Sequence, residues 1–358
     1  MEDVCFRTRR LCESLVAYLC SIVGTAKSIV VNGEEFLVGK KIAEGAFSYV
    51  YLAKNKQTGQ HYAMKRIITQ TKEQRECVNW EIQVYRSFDH PHLLKLCGHV
   101  TEKRRGGTQS EVTSLVFPLC SRGSLESALQ KRRSQGGSSY FTESEAIRYL
   151  HQICKGLKMF HDHSPAWAHM DIKPGNVLLD SSTSYCIRAH YISVTYTHTH
   201  THTGGNPILM DFGSTSVARK TPKSRSEALR IQEWAAENCS MPYRAPELFE
   251  VKSEVELTER VDMWSLGCTL YALAFGYSPF ECTFSEETGA VHVEKCSFLR
   301  VINGVVFPPR VSRDKFSSNF RKLIKDLTHK TASKRPSVNG LLLRTESWDM
   351  KIKEKSVV

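Results

Sequence analysis

The sequence predicts an α+β fold in two lobes: a small five-stranded β lobe with one helix, followed by a larger, mainly helical lobe. Two observations carry this. Short apolar segments punctuated by turn residues fill the stretch from Glu35 to about Gly123, and beyond it the apolar positions recur at helical spacing. The chain has 358 residues, 41% hydrophobic and 24% charged, an ordinary globular composition long enough for one large or two medium domains.

Residues 36–42, 49–54 and 61–67 read as three strands separated by Gly45 and Thr58-Gly59. A helix fits 73–88 and stops before Pro91, and apolar segments at 93–96 and 115–119 supply two more strands. Helices are expected over 143–161, 263–275 and 316–327. A cleft is expected near residues 117–123, where the two lobes meet.

The formal net charge of +12 suits anionic partners such as nucleotides or a membrane surface. Its basic residues are spread along the chain, so no nucleic-acid partner is expected. The 12 cysteines form no Cys-x-x-Cys pair, which argues against a zinc ribbon or disulfide scaffold and for free thiols. The longest apolar stretch, residues 15–23, is about half the roughly 20 residues a spanning helix needs.

Residues 1–28 combine Arg7, Arg9 and Arg10 with an apolar stripe at helical spacing. An interfacial helix whose Cys5, Cys12 and Cys20 accept palmitoyl groups is preferred over a docked terminal helix. A secretory signal ranks third, because Glu13 interrupts its apolar centre. Glu2 excludes myristoylation at this start. Residues 181–205, with alternating Thr and His from Thr197 to Thr203, read as a disordered low-complexity insertion. A repeated AC dinucleotide encodes that alternation, so an expanded microsatellite or retained intron is expected ahead of a histidine metal site.

The chemistry-bearing residues follow a fixed order. The small-residue turn from Ile42, Ala43, Glu44, Gly45, Ala46, Phe47 and Ser48 to Val50 lets backbone approach phosphate, although a plain tight hairpin would look the same. Lys65, in an apolar strand, wants a carboxylate and a phosphate, and Glu81 in the predicted helix is the natural partner. His169-Met170-Asp171-Ile172-Lys173-Pro174-Gly175-Asn176 suits phosphoryl transfer. Asp171 would accept the substrate hydroxyl proton, Lys173 would neutralise the γ-phosphate and Asn176 would ligate Mg²⁺. Asp211-Phe212-Gly213 after an apolar strand adds a second metal-holding carboxylate.

With Tyr243-Arg244-Ala245-Pro246-Glu247, Asp262-Met263-Trp264-Ser265-Leu266-Gly267 and Lys334-Arg335-Pro336, these motifs resemble the eukaryotic protein-kinase superfamily over residues 36–343. The resemblance implies a bilobal protein-kinase fold, ATP with Mg²⁺ (Mn²⁺ as an alternative), and protein substrates phosphorylated on Ser or Thr, with Tyr a further candidate. It implies a structural Glu247–Arg335 ion pair, a catalytic loop braced by Asp262, and contact of Ser240 with Asp171 and Lys173. It also places adenine against the hinge of Pro118, Leu119 and Cys120, with Phe117 as gatekeeper, and counts Val50 and Ala63 among the nucleotide-binding residues.

Within that superfamily the chain is most similar to the Numb-associated kinases. The shared features are the Glu-Gly-small-Phe-Ser-Tyr-Val turn, the Pro118 hinge and Gln232-Glu233-Trp234-Ala235-Ala236 before Tyr-Arg-Ala-Pro-Glu. Physically, Ser224 and Glu227 form a capping box, and Ala228, Ile231, Trp234 and Ala235 an apolar stripe ending near Asn238. A helix of about three turns is therefore expected in the activation segment. The family has a small lipid-modified, Golgi-associated member, which implies a cytoplasmic enzyme peripheral to Golgi or other cytosolic membrane surfaces.

Some residues depart from the pattern. Met170 stands where an arginine usually precedes the catalytic aspartate, which argues against an activation-loop phosphate switch. Ala43 and Ser48 replace two glycines, and the insertion about doubles the usual interval between Asp171 and Asp211. The expected organisation is an N-terminal extension at 1–31, a kinase domain at 32–345 divided near 118/119, an activation segment at 211–247 and a basic tail at 346–358, in a monomer. A nucleotide-binding pseudokinase or scaffold is the competing reading, although Lys65, Glu81, Asp171, Asn176 and Asp211 are all present.

Overall fold

A computed structural model of the chain describes residues 28–45, 48–103, 110–135, 140–180, 205–285, 287, 290–309 and 316–355. Cys5, Cys12 and Cys20, Ala46 and Phe47 of the turn, and the Thr-His tract lie outside the described residues. Two compact units emerge, Met1–Ile82 with Lys95–Leu119 and Gln83–Leu94 with Cys120–Val358.

The first unit is built on an antiparallel sheet of six strands: β1 (Ser28–Val31), β2 (Glu34–Glu44), β3 (Ser48–Asn55), β4 (His61–Thr69), β5 (Gly98–Lys103) and β6 (Glu111–Pro118). Their order across the sheet is β1-β2-β3-β4-β6-β5. Two expectations are corrected here. The sheet has six strands rather than five, because β1, assigned above to the N-terminal extension, pairs with β2 through Val31↔Glu34. Asn32 and Gly33, at φ 50° and 82°, make the two-residue turn between them, the conformation that Asn-Gly favours in hairpins. The fourth expected strand, 93–96, is not one. Leu94 N–H donates to Leu209 O within the second unit, and the edge strand is the more polar β5. Ile29, Val31, Phe36, Val38, Ala53, Met64 and Val116 form a core on the sheet.

Helix α1 (Lys72–Ser87) begins where Thr71 Oγ1 accepts from Gln74 N–H and Gln74 Oε1 accepts from Thr71 N–H, a reciprocal cap. The unit boundary crosses this helix after Ile82.

The second unit contains α2 (Leu125–Ser134), α3 (Glu143–His161), β7 (Trp167–Ala168), β8 (Val177–Asp180), β9 (Asn206–Leu209), β10 (Ser216–Val217) and α4 (Arg225–Asn238). After these come α5 (Arg260–Phe275), the short hairpin β11 (Cys282–Phe284) and β12 (Val291–Val293), α6 (Phe298–Asn303), α7 (Ser318–Leu327) and α8 (Val338–Lys355). Thr142 and Glu145 cap α3 reciprocally, and the helix buries Ile147, Leu150, Ile153, Leu157 and Phe160. Every residue of α5 from Val261 to Phe275 is buried, so its apolar sequence marks the centre of this unit rather than a one-faced surface helix. The Glu143 carboxylate accepts from Ser317 Oγ–H and from Trp348 Nε1–H, tying α7 and α8 to the start of α3. The segment read as a tail from 346 continues α8 to Lys355.

Candidate active site

In the first unit, the turn between β2 and β3 is closed by Gly45 N–H donating to Ser48 O at 2.7 Å. A β-carbon on Gly45 would stand 2.9 Å from Ser48 Oγ, so a larger residue here would require that side chain to turn away. The register sets Val50 opposite Lys65 and Lys65 opposite Leu115, and likewise Leu52, Ala63 and Phe117 in line. Directly paired residues share a face and so do alternate residues of a strand. Val50, Ala63, Lys65 and Phe117 therefore belong to one face of the sheet. Ala43 lies opposite Val50, Glu44 pairs with Lys41 at 2.5 Å, and Ile42 is exposed. Lys65 Nζ donates to Glu81 Oε1 at 2.8 Å, with the Glu81 side chain only 6% exposed. Pro118 ends β6 opposite Tyr62, and the two units divide between Leu119 and Cys120. Burial, reinforced by the Asp180 carboxylate, pushes the Cys120 thiol up to about 12.

The second unit holds the other group. Asp171 Oδ1 accepts the Ser240 backbone N–H at 2.8 Å, and Oδ2 accepts from Lys173 Nζ at 2.7 Å and Asn176 Nδ2 at 3.0 Å. Lys173 Nζ also reaches Ser240 Oγ at 2.5 Å, and Asn176 Nδ2 reaches Asp171 O at 2.8 Å. Asp171 thus has both oxygens fixed by hydrogen-bond donors. Beneath it lies fully buried Asp262, whose oxygens accept the N–H groups of His169 and Met170 and contact His161 Nε2 at 2.9 Å. That clamp holds Met170 at φ 71°, a left-handed conformation that costs a residue with a side chain about 1–3 kcal/mol.

Asp211 is also left-handed, at φ 65°, and its N–H donates to Tyr85 Oη at 3.1 Å. Phe212 is buried against the rings of Tyr85, Phe160 and His169. His169 Nε2 is 3.1 Å from Met210 O, and Met210 N–H donates to Asn176 O at 2.9 Å. Asn176 and Asp211 therefore stand on hydrogen-bonded neighbouring segments. Tyr85 was missed by sequence reasoning; its only signal was a place one turn after Glu81 on the predicted helix.

The activation segment contains α4 over 14 residues, nearer four turns than three. Ser224 Oγ accepts Glu227 N–H, whereas the Glu227 carboxylate turns to Lys223 N–H at 2.9 Å, so the expected box closes one residue early. Ala228 and Ala235 are buried, with Ile231 and Trp234 partly covered. Glu247 receives both terminal nitrogens of Arg335 at 2.6 and 2.7 Å; Arg335 also donates to the carbonyls of Arg260 and His329 and lies over Trp264.

A basic strand-borne lysine paired to a helix glutamate, a braced loop aspartate with its lysine and asparagine, and a second aspartate before a buried phenylalanine together define a phosphoryl-transfer fold. Residues 36–345 match the protein kinase domain family, and the chain belongs to it. It is 32% identical to Serine/threonine-protein kinase 16 of Rattus norvegicus over 320 residues, 89% of this chain and 92% of that protein. The Homo sapiens protein of the same name is equally similar, at 32% over the same shares. A probable serine/threonine-protein kinase of Dictyostelium discoideum is 29% identical over 89% of this chain and 95% of that one. The enzyme class is serine/threonine protein kinase.

Proposed function

We propose that this kinase uses Mg²⁺-bound ATP to phosphorylate Ser and Thr hydroxyls of proteins at a cytosolic membrane surface, as a member of the Numb-associated family. The observation that carries the catalytic assignment is the triple fixation of Asp171 by Ser240, Lys173 and Asn176. A carboxylate held this way can accept the proton of an incoming hydroxyl, while Lys173 faces charge building on the transferred phosphoryl group.

The donor set fits a hard divalent ion. Asn176 spends its amide hydrogens on Asp171, leaving Oδ1 for a cation, and Asp211 adds carboxylate oxygen from the adjoining segment. Such an ion, bound with ATP, would neutralise phosphate charge. Lys65, oriented by Glu81, would hold the nucleotide phosphates, and the backbone around Gly45 would cover them. Val50, Ala63, Phe117, Pro118, Leu119 and Cys120 would receive the adenine.

The membrane part of the proposal is supported by the basic, cysteine-bearing stripe of residues 1–28 and by likeness to the family's lipid-modified member. Among the described residues no helix is long and apolar enough to cross a membrane. Transfer from labelled ATP with Mg²⁺, measured for the whole chain beside Asp211→Ala, tests the catalytic reading. Label on Ser or Thr that disappears in Asp211→Ala supports it; a silent wild type that still binds ATP would establish the scaffold alternative. Fractionation of the tagged chain beside a triple Cys5, Cys12 and Cys20→Ser variant tests membrane attachment, which should be lost in the variant.

A further inference from the structure

Between the catalytic loop and α4, the second unit has a half-open cavity of about 320 Å³. This is within the size range of small-molecule sites. Met170 lines it together with Ile231 and Trp234 of α4 and Val261 of α5, giving it apolar walls. Had an arginine stood at 170, a guanidinium would occupy and charge that wall; the thioether leaves it open and apolar.

The polar lining is unbalanced. Lys220 and Arg230 are exposed and have no side-chain hydrogen bond or ion pair among the described residues. A single lining carboxylate, Glu227, which accepts from Lys223 N–H, stands against these two cations. A cavity with one apolar wall and an excess of cations at its rim matches a ligand with the complementary division: an apolar body and one negative end.

We propose that this cavity is a second ligand site of the protein, for a small amphipathic anion whose aromatic-sized body packs on Met170, Ile231 and Trp234 while Lys220 and Arg230 hold its negative group. Its walls lead directly to the catalytic loop. Met170 precedes Asp171 in the chain; Trp234 O accepts from Asn238 Nδ2, and Ser240, two residues on, donates to Asp171 Oδ1. A ligand here therefore acts on the joint between Asp171 and Ser240 to the extent that it binds one arrangement of that joint more tightly than another.

The test is calorimetric titration of the whole chain with 2-naphthoate and, separately, with neutral 2-naphthylmethanol, with the nucleotide site saturated by Mg²⁺ and a non-hydrolysable ATP analogue. The expected result is saturable naphthoate binding that weakens about tenfold in Lys220→Met/Arg230→Met, while naphthylmethanol binding is unchanged. Both exposed substitutions spare the core, so this comparison does not depend on a perturbed fold. Ile231→Trp, checked for a native thermal transition, should fill the chamber and abolish binding of both probes; Val261→Phe replaces it if that variant does not fold. Absence of saturable naphthoate binding to the wild type, equal affinity in the double methionine variant, or binding that survives the filled chamber would overturn the proposal. The readout is binding, so it stands or falls separately from phosphate transfer.

Discussion

The backbone N–H of Ser240 meets Asp171 Oδ1 at 2.8 Å while Lys173 Nζ bridges Asp171 Oδ2 and Ser240 Oγ, joining the activation segment to the catalytic loop. The amide bond survives loss of the Ser240 side chain, whereas the bridge does not. Asp171→Asn should lower kcat by about 10²–10⁴-fold with an unchanged melting transition, since it removes the base but keeps the shape. Ser240→Ala should cost much less, roughly tenfold, because Lys173 keeps its bond to Asp171. Phosphate-transfer kinetics on both variants check this; equal losses would contradict the separate roles.

Lys65 and Glu81 make a prediction about stability as well as activity. Lys65→Met removes the cation that donates to the almost fully covered Glu81 carboxylate, at a cost of about 1–3 kcal/mol. Lys65→Met/Glu81→Leu removes both and should recover most of that loss without recovering phosphate transfer. Thermal denaturation of the two variants decides it: a double variant no more stable than the single one would mean that the pair is not the source of the loss.

Arg335 is fully buried and spends its donors on Glu247 and on three carbonyls. Arg335→Ala should destabilise the second unit by about 3–5 kcal/mol, because it strands the Glu247 carboxylate. Arg335→Lys should rescue little of this, since an ammonium cannot reproduce the planar two-nitrogen contact. Denaturant midpoints measure both; full recovery by lysine would show that charge alone matters.

The grouping of Asp171, Lys173 and Asn176 was legible because these residues sit in one short, ordered motif, so it could be read without knowing any long-range contact. The α3 limits were legible too, set by a long helical period. What failed involved other information. The 93–96 run is apolar because it packs beside Leu209, not because it forms a strand, whereas the true edge strand β5 is polar and lacks that signal. The first strand was hidden by treating residues 1–31 as one segment, although Asn32-Gly33 marks its hairpin. The cavity at Met170 could not be read at all, since its walls come from segments far apart in sequence.

His92 gives a pH dependence. Burial, aided by His90, Lys155 and His151, lowers it from 6.5 to about 4 despite its bond to Pro207 O. Its folded value is depressed, so the folded chain holds it neutral. Below pH 6.5 the unfolded chain takes up a proton that the folded chain refuses, and stability falls until about pH 4, where both forms are protonated. The loss attributable to this residue should total roughly 3 kcal/mol. His92→Gln should lower stability at pH 7.5 yet lose less between pH 6.5 and 4. Parallel acid limbs for variant and wild type, in denaturant titrations at several pH values, would reject the assignment.

The insertion joins two strands that already meet. Asp180 pairs with Asn206 at the open end of the β8–β9 hairpin, and Gly205, at φ 76°, turns the chain into it with a would-be β-carbon only 2.9 Å from Asp180 O. Nothing in this closure requires the length of sequence between Asp180 and Gly205. Closing a shorter loop costs less entropy, by about 0.6 kcal/mol for each halving, so replacing residues 184–203 with a direct join should stabilise the chain by about 1–2 kcal/mol. Leu209 and Asn176 keep their hydrogen-bonded neighbours in that variant, so phosphate transfer should be retained. A rise in activity on deletion would identify the insertion as inhibitory, and a collapse of the melting transition would show that the hairpin depends on the inserted residues after all.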